Sequence, residues 1–361
     1  MSTISATRAS PMIPVARATA LRRGARFSAR AAAQPASFPS APRKGLFFPG
    51  QGAQTVGMSK DVVSTVPAAK ELFERASEAL GYDLLKTCVE GPKETLNSTA
   101  VSQPAIYVSS LAALEQLKQE RGEEALAAVD VAAGLSLGEY TALAFAGAFS
   151  FEDGLKLVAL RGKSMQAAAD ARPSAMASVV GLTAPKAEAL AARAWAEAAA
   201  AGGHDPADPT SPAAVRVANY LCSGNYALSG GVEGIAFVEK LAKPEFKARM
   251  VVRLAVAGAF HSEFMRPALE PLREALRETP VQTPRIPVIS NVDAKAHWDA
   301  DDIRATLEQQ LVSPVLFEKT LDDLVAGGLE EATEVGPGKV IAGLFKRVKA
   351  AKGVKVTNVT V

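Results

Sequence analysis

Ser136 and its neighbours can do chemistry that an isolated serine cannot. Residues 129–133 form an apolar run broken only by Asp130; the run ends in Gly134-Leu-Ser136-Leu-Gly138, and a good helix-forming segment follows from 139 to 148. A strand feeding a tight turn of this composition lifts one hydroxyl above a sheet, with the next helix starting beneath it. The glycines are small because strand and helix must pass close together there. The Leu137 N–H would lie at the helix N-terminus, where it can receive a developing oxyanion. The same five residues also fit an ordinary strand-to-helix connection that happens to contain a serine.

A serine hydroxyl is a weak nucleophile until a base takes its proton, and histidine is the usual partner. The chain has three histidines. His204 falls in a Gly/Pro/Asp-rich stretch, residues 202–212, that reads as a mobile surface loop, and His297 falls in the charged run Asp293-Ala-Lys-Ala-His-Trp, which reads as a solvated turn. His261 alone follows an apolar strand, expected at the end of the main sheet. Elimination favours His261 as the base, with a structural histidine as the alternative.

Several elements must position these groups. A short strand near 45–48 runs into Pro49-Gly-Gln51-Gly-Ala-Gln54 and then a helix over 59–80. That glycine loop lacks the lysine and the spacing of a phosphate loop. It is either a tight connection or a source of uncharged backbone donors for an oxyanion. Helices are expected at 103–121 and 151–169, the second carrying Leu155, Val158 and Met165 on its apolar face with Arg161 among them. Strands alternating with helices imply a parallel sheet covered on both faces. From 172 to 254 the order changes to β-α-β-β-α-β, the pattern of a ferredoxin-like unit. The expected fold is therefore α/β: a hydrolase-like parallel sheet core, residues 43–171 and 255–361, with an inserted ferredoxin-like subdomain, residues 172–254. Beyond 261 the expected elements are a helix to about 277, a strand at 286–290, helices at 300–311 and 316–326, a strand at 332–335, a helix ending near 349 and a last strand at 354–359.

Residues 1–42 hold six arginines (Arg8, Arg17, Arg22, Arg23, Arg26, Arg30), no Asp or Glu, and many Ala, Ser and Pro. That is the composition of an organelle transit peptide. The whole chain carries 40 basic and 38 acidic residues, a formal charge of +2; without the six arginines the balance is 34 against 38, or −4. The basic excess thus belongs to the leader and gives no reason to expect nucleic-acid binding. No apolar span is long enough for a membrane helix, so a soluble protein with no membrane partner is expected. Cys88 and Cys222 make no disulfide framework, and no Cys/His cluster has metal-ligand spacing.

Phe48-Pro-Gly-Gln-Gly-Ala-Gln, Gly-Leu-Ser136-Leu-Gly-Glu-Tyr, Leu160-Arg161-Gly162, Ala259-Phe-His-Ser and Glu334-Val-Gly-Pro-Gly-Lys occur in this order from about residue 45 to the C-terminus. In this the chain resembles the malonyl-CoA:acyl-carrier-protein transacylases. The resemblance implies a malonyltransferase of fatty acid synthesis in which Ser136 carries the acyl group, His261 is its base, and the backbone N–H groups of Gln51 and Leu137 form the oxyanion hole. It implies that Gln310, in Glu-Gln-Gln-Leu-Val-Ser-Pro, lies beside His261, whose orienting partner is a carbonyl from that region rather than an aspartate. Arg161 is then the fork that pairs with the free malonyl carboxylate. A lone helical arginine is otherwise more often a solvated charge. Phe260 resembles a position whose bulk excludes an α-methyl branch.

The implied substrates are malonyl-CoA and a holo-acyl carrier protein, with no metal and no other cofactor. A monomer is expected, and the plastid stroma is the expected location, ahead of the mitochondrion. The basic C-terminal stretch Lys339, Lys346, Arg347 and Lys349 is expected either to assist docking of an acidic carrier or to form an ordinary solvated helix face. One departure is Leu135, where many members have histidine. The rival reading, an α/β-hydrolase esterase or thioesterase, needs an acid between serine and histidine; Asp153, Asp170 and Glu245 lie there without motif context. A non-enzymatic carrier-binding subunit is the second rival.

Overall fold

The computed structural model describes residues 41–361, and the transit-peptide reading of residues 1–42 falls almost wholly outside them. The strands are β1 (Lys44–Phe48), β2 (Val131–Gly134), β3 (Ser174–Val180), β4 (Val215–Cys222), β5 (Asn225–Gly231), β6 (Met250–Arg253), β7 (Val288–Ile289), β8 (Glu331–Val335) and β9 (Lys355–Val359). They form a parallel sheet of order β7-β2-β1-β8-β9 and a separate antiparallel sheet of order β4-β5-β3-β6.

The parallel sheet is buried on both faces, which is why its strands read as nearly unbroken apolar runs. Leu46, Phe48 and Ala132 face one core, with residues of helices Pro67–Leu80, Thr99–Arg121, Leu137–Phe145 and Phe151–Ala171. Phe47, Val131 and Ala133 face the other, with Phe317, Leu321, Ile341 and Phe345. The parallel register sets Phe48 beside Gly134, so the loops leaving β1 and β2 emerge together at the C-terminal edge. That edge is where open α/β sheets put their sites. In the antiparallel sheet, helices Ala184–Gly202 and Val232–Ala242 pack on one face around Leu190, Ala194, Ile235 and Val238. The ferredoxin-like order follows from the β-α-β-β-α-β chain path. β4 is also tied to the main body, since Tyr220 N donates to Val315 O at 2.9 Å.

Several expected elements differ. The helix expected over 59–80 is two, Lys60–Thr65 and Pro67–Leu80, because Pro67 forces Val66 into an extended conformation (φ −123°, ψ 100°). Short helices at Leu84–Glu90, Lys93–Asn97 and Glu123–Ala127 lie where no helix was expected, being too brief to show a periodic pattern. The strand expected at 286–290 keeps only Val288–Ile289, and the helix expected to reach 349 stops at Phe345 and is followed by a 3₁₀ turn at Lys349–Gly353. His261 does not follow a strand of the main sheet. The preceding strand, β6, is the edge of the antiparallel sheet, and His261 sits beyond it in a loop with φ +59°. Among the described residues no helix is long and apolar enough to cross a membrane.

Candidate active site

The turn after β2 holds Ser136 at φ 54°, ψ −102°, outside the conformations a serine prefers. Strain of this kind needs surrounding structure to maintain it. A Cβ on Gly134 would lie 1.9 Å from the Gly138 carbonyl carbon, and one on Gly138 would lie 2.1 Å from Phe48 O. Only glycines let β1, β2 and the helix Leu137–Phe145 converge this closely. Asn291, just past β7, clamps the turn: its Oδ1 accepts from Ser136 N at 2.6 Å and its Nδ2 donates to Gly134 O at 2.7 Å.

Ser136 Oγ is 2.9 Å from His261 Nε2. His261 Nδ1 lies 2.8 Å from the main-chain oxygen of Gln310, which can only accept, so Nδ1 carries the proton and Nε2 is free to accept from the serine. Burial, and then the nearby Arg161 guanidinium, hold the imidazole down to a pKa of about 4. It is therefore a neutral base throughout the physiological range. No acid orients it: Asp153 bonds Ser150, Asp170 bonds Gln166, and Glu245 is exposed. The arrangement is a dyad with a main-chain carbonyl in the third position.

Arg161 is 1 % exposed, on the helix Phe151–Ala171. Gly162 lets that helix approach the helix Thr99–Arg121, since a Cβ there would come within 2.5 Å of Thr99 O. The guanidinium donates to Gln103 Oε1 at 2.7 Å, Gln310 Oε1 at 2.9 Å and Ser136 Oγ at 3.1 Å, and lies 5.3 Å from the Tyr140 ring centroid. Arg161 Nε has no partner, and no carboxylate among the described residues pairs with the group. Burial lowers its pKa. A buried cation held only by neutral groups is costly alone and suited to an incoming anion.

Ser136, His261, Arg161 and Gln310 thus meet in one place. Among the described residues the N–H groups of Gln51 and Leu137 find no hydrogen-bond partner. Their loops touch, because a Cβ on Gly50 would meet Leu135 O at 2.2 Å. Gln51 also holds Thr99 through its side chain (3.3 Å). Phe260, next to His261 in the chain, is buried, its main-chain oxygen accepting from Ser229 Oγ at 2.6 Å. Leu135 packs with Phe47, Val131 and Ala133 in the second core, so an apolar residue is at home there. His204 and His297 lie elsewhere, bonded to Glu233 and Asp293. The loop at 202–212, expected to be mobile, is anchored by that first contact and by Arg172 to Thr210 O.

Sequence reasoning missed Gln103, Glu139 and Asn291. Asn291 had a faint signal, a polar residue directly after an apolar strand. Gln103 and Glu139 looked like ordinary helical polar residues, and their burial is a tertiary fact.

A parallel α/β core, a strained serine at a strand-to-helix turn and a histidine held by a carbonyl define an acyltransferase. Residues 46–360 match the family model described as "Acyl transferase domain". The malonyl CoA-acyl carrier protein transacylase of Bacillus subtilis is 40% identical over 303 residues, 84% of this chain and 89% of that protein. The human malonyl-CoA-acyl carrier protein transacylase, mitochondrial, is 39% identical over 305 residues, covering 83% of this chain and 76% of its own length. A solved malonyl-transacylase in complex with its type II PKS acyl-carrier protein superposes with TM-score 0.77 at 33% identity, covering 88% of this chain and 96% of that one. The chain belongs to the malonyl-CoA:acyl-carrier-protein transacylase family.

Proposed function

We propose that this protein moves the malonyl group of malonyl-CoA to the phosphopantetheine thiol of an acyl carrier protein through a malonyl-Ser136 ester, supplying fatty acid synthesis. His261 Nε2 takes the hydroxyl proton as Ser136 Oγ attacks the thioester carbonyl. The oxyanion forms at the N–H groups of Gln51 and Leu137, the C–S bond breaks, and CoA leaves with the proton from His261. The carrier thiol then gives its proton to His261 and its sulfur attacks the ester carbonyl; the acyl C–Oγ bond breaks, malonyl leaves on the carrier sulfur, and Ser136 Oγ takes the proton back from His261. No metal or cofactor enters these steps. Arg161 pairs with the malonyl carboxylate, exchanging its contact to Ser136 Oγ for the substrate, and Phe260 limits room at the α-carbon.

The observation that carries this reading is the buried Arg161 guanidinium at 3.1 Å from the serine oxygen with only neutral partners. A neutral-ester hydrolase has no use for it. The test is intact-protein mass spectrometry after mixing with malonyl-CoA or acetyl-CoA. A malonyl adduct on wild type, absent in Ser136→Ala, supports the reading; no adduct and no CoA release above buffer overturns it in favour of a carrier-binding protein.

In the same reading residues 1–42 direct the chain to an organelle, residues 43–171 with 255–361 form the catalytic body, and 172–254 form the inserted lobe of a monomer. The plastid rests on the fatty-acid-synthesis role, since composition barely separates it from the mitochondrion in the human relative's name; the location of a leader–fluorescent-protein fusion decides. Lys339, Lys346, Arg347 and Lys349 are all exposed around the helix Val340–Phe345. They meet the acidic carrier, and unchanged carrier kinetics and salt dependence after charge reversal would remove that role.

A further inference from the structure

The side chain of Gln310 touches two members of the site at once, and its own orientation needs an explanation. Its Oε1 accepts from Arg161 Nη2 at 2.9 Å, while its Nε2 donates to Ser136 O at 3.1 Å and to Glu139 Oε2 at 2.6 Å. An amide can turn end for end, and only its partners decide which end faces which way. Arg161 can only donate. An ionised carboxylate can only accept. Glu139, 2 % exposed on the helix Leu137–Phe145, is fixed in turn by Asn291 N, which donates to the same Oε2 at 2.9 Å. Glu139 forms no ion pair among the described residues, so this buried carboxylate is held by neutral donors alone.

We infer that Glu139 is a positioning residue for malonyl selectivity: its carboxylate holds the Gln310 amide with the carbonyl toward Arg161, which keeps the guanidinium in place for the substrate carboxylate. This rests on the malonyltransferase reading above. Without Glu139 the NH₂ end keeps only its longer bond to Ser136 O, at 3.1 Å, so the amide is held less firmly and the guanidinium's partner is no longer fixed. His261 is held by the main-chain oxygen of Gln310, so the base keeps its orientation. Discrimination between malonyl and acetyl should therefore suffer more than acyl transfer itself.

Protonation of Glu139 should act in the same direction. Burial pushes its pKa up to about 7, against the lowering effect of the hydrogen bonds from Asn291 and Gln310 and of His297. The other charged or titratable groups facing it are Arg161, on the helix Phe151–Ala171, its neighbour Tyr140, and His261 through Gln310. His261 serves both acyl groups and cancels when their rates are compared.

The experiment is the ratio of kcat/KM for Ser136 acylation by malonyl-CoA and by acetyl-CoA, from about pH 5.5 to about pH 8.5, in wild type, Glu139→Ala and Glu139→Gln. In wild type the ratio should rise with pH as Glu139 ionises. Glu139→Ala should lower it about tenfold to a hundredfold, the size of a lost hydrogen bond to a charged group. Glu139→Gln is neutral like protonated Glu139, with one carbonyl oxygen and one donor end, so it should show the low-pH wild-type ratio at every pH, above that of Glu139→Ala. A wild-type ratio that is flat with pH, or a loss in Glu139→Ala shared equally by the two acyl groups, overturns the inference. The comparison of wild type with Glu139→Gln decides even where Glu139→Ala does not fold. A wild type with no preference for malonyl sinks the function reading and this inference together; a preference indifferent to Glu139 sinks only the inference.

Discussion

Ser136 Oγ and His261 Nε2 lie 2.9 Å apart although 125 residues separate them in the chain. Each is held in a left-handed backbone conformation, φ +54° and +59°. Two strained turns from different parts of the fold therefore meet at one hydrogen bond. If they act as a pair, Ser136→Ala should abolish acylation, and His261→Ala should slow it by about 10²- to 10⁴-fold, the usual contribution of a general base. Stopped-flow release of CoA measures both. A His261→Ala enzyme acylated at the wild-type rate would show that another base serves Ser136.

Arg161→Ala should remove most of the preference for malonyl-CoA over acetyl-CoA. Breaking a buried charge pair costs about 3 to 5 kcal/mol, a factor between about a hundred and several thousand. Arg161→Lys should recover only part of this, because a single ammonium cannot satisfy Gln103, Gln310 and a carboxylate in one plane. Competition between the two thioesters, read by adduct mass, gives the ratio directly. Full recovery with lysine would mean that charge alone suffices.

The acid limb of acylation should fall with a midpoint near His261's pKa of about 4, well below that of a free histidine. Protonation occupies Nε2 and leaves it unable to accept from Ser136, so the rate declines as pH drops through that value. A limb near 6.5, the ordinary histidine value, would contradict the burial argument.

Stability should respond to Glu139 with the opposite sign from most carboxylates. Its folded-state pKa of about 7 is raised above the ordinary value of 4.5, so its contribution is fully present below 4.5 and is lost as pH rises toward 7. Glu139→Gln carries no such titration. The variant should gain thermal stability relative to wild type on going from about pH 5 to about pH 8. A difference in Tm that does not change over that range would place the ionised carboxylate at no cost.

Gly138→Ala should destabilise the chain by about 1 to 3 kcal/mol or prevent folding, because its methyl group would meet Phe48 O at 2.1 Å. Gly343→Ala, on the helix Val340–Phe345 with nothing within 4 Å of the added carbon, is the control and should be tolerated. Thermal unfolding of the two compares them. Equal stability would show that strand and helix can move apart without loss.

The sequence by itself determined the elements and their chemistry-bearing members. The turn at Ser136 was legible because a nucleophile turn imposes small residues at fixed spacing, and the two sheets were legible because parallel and antiparallel units leave different orders of strand and helix. His261 emerged by elimination among three histidines, and Arg161 through its motif. Tertiary structure decided what local pattern does not encode. It placed His261 in a loop rather than after a main-sheet strand, and it broke the first long helix at Pro67, a stop that periodicity alone had overridden. It also brought Gln103, Glu139 and Asn291 to the site. These three are polar residues whose role depends on burial against partners 152 and 157 residues away, as for Asn291 with Glu139 and Gly134. Apolar spacing records which face of a helix is covered; it does not record which hydrogen-bonding group covers it. That is settled only when the chain closes and each buried donor must find an acceptor.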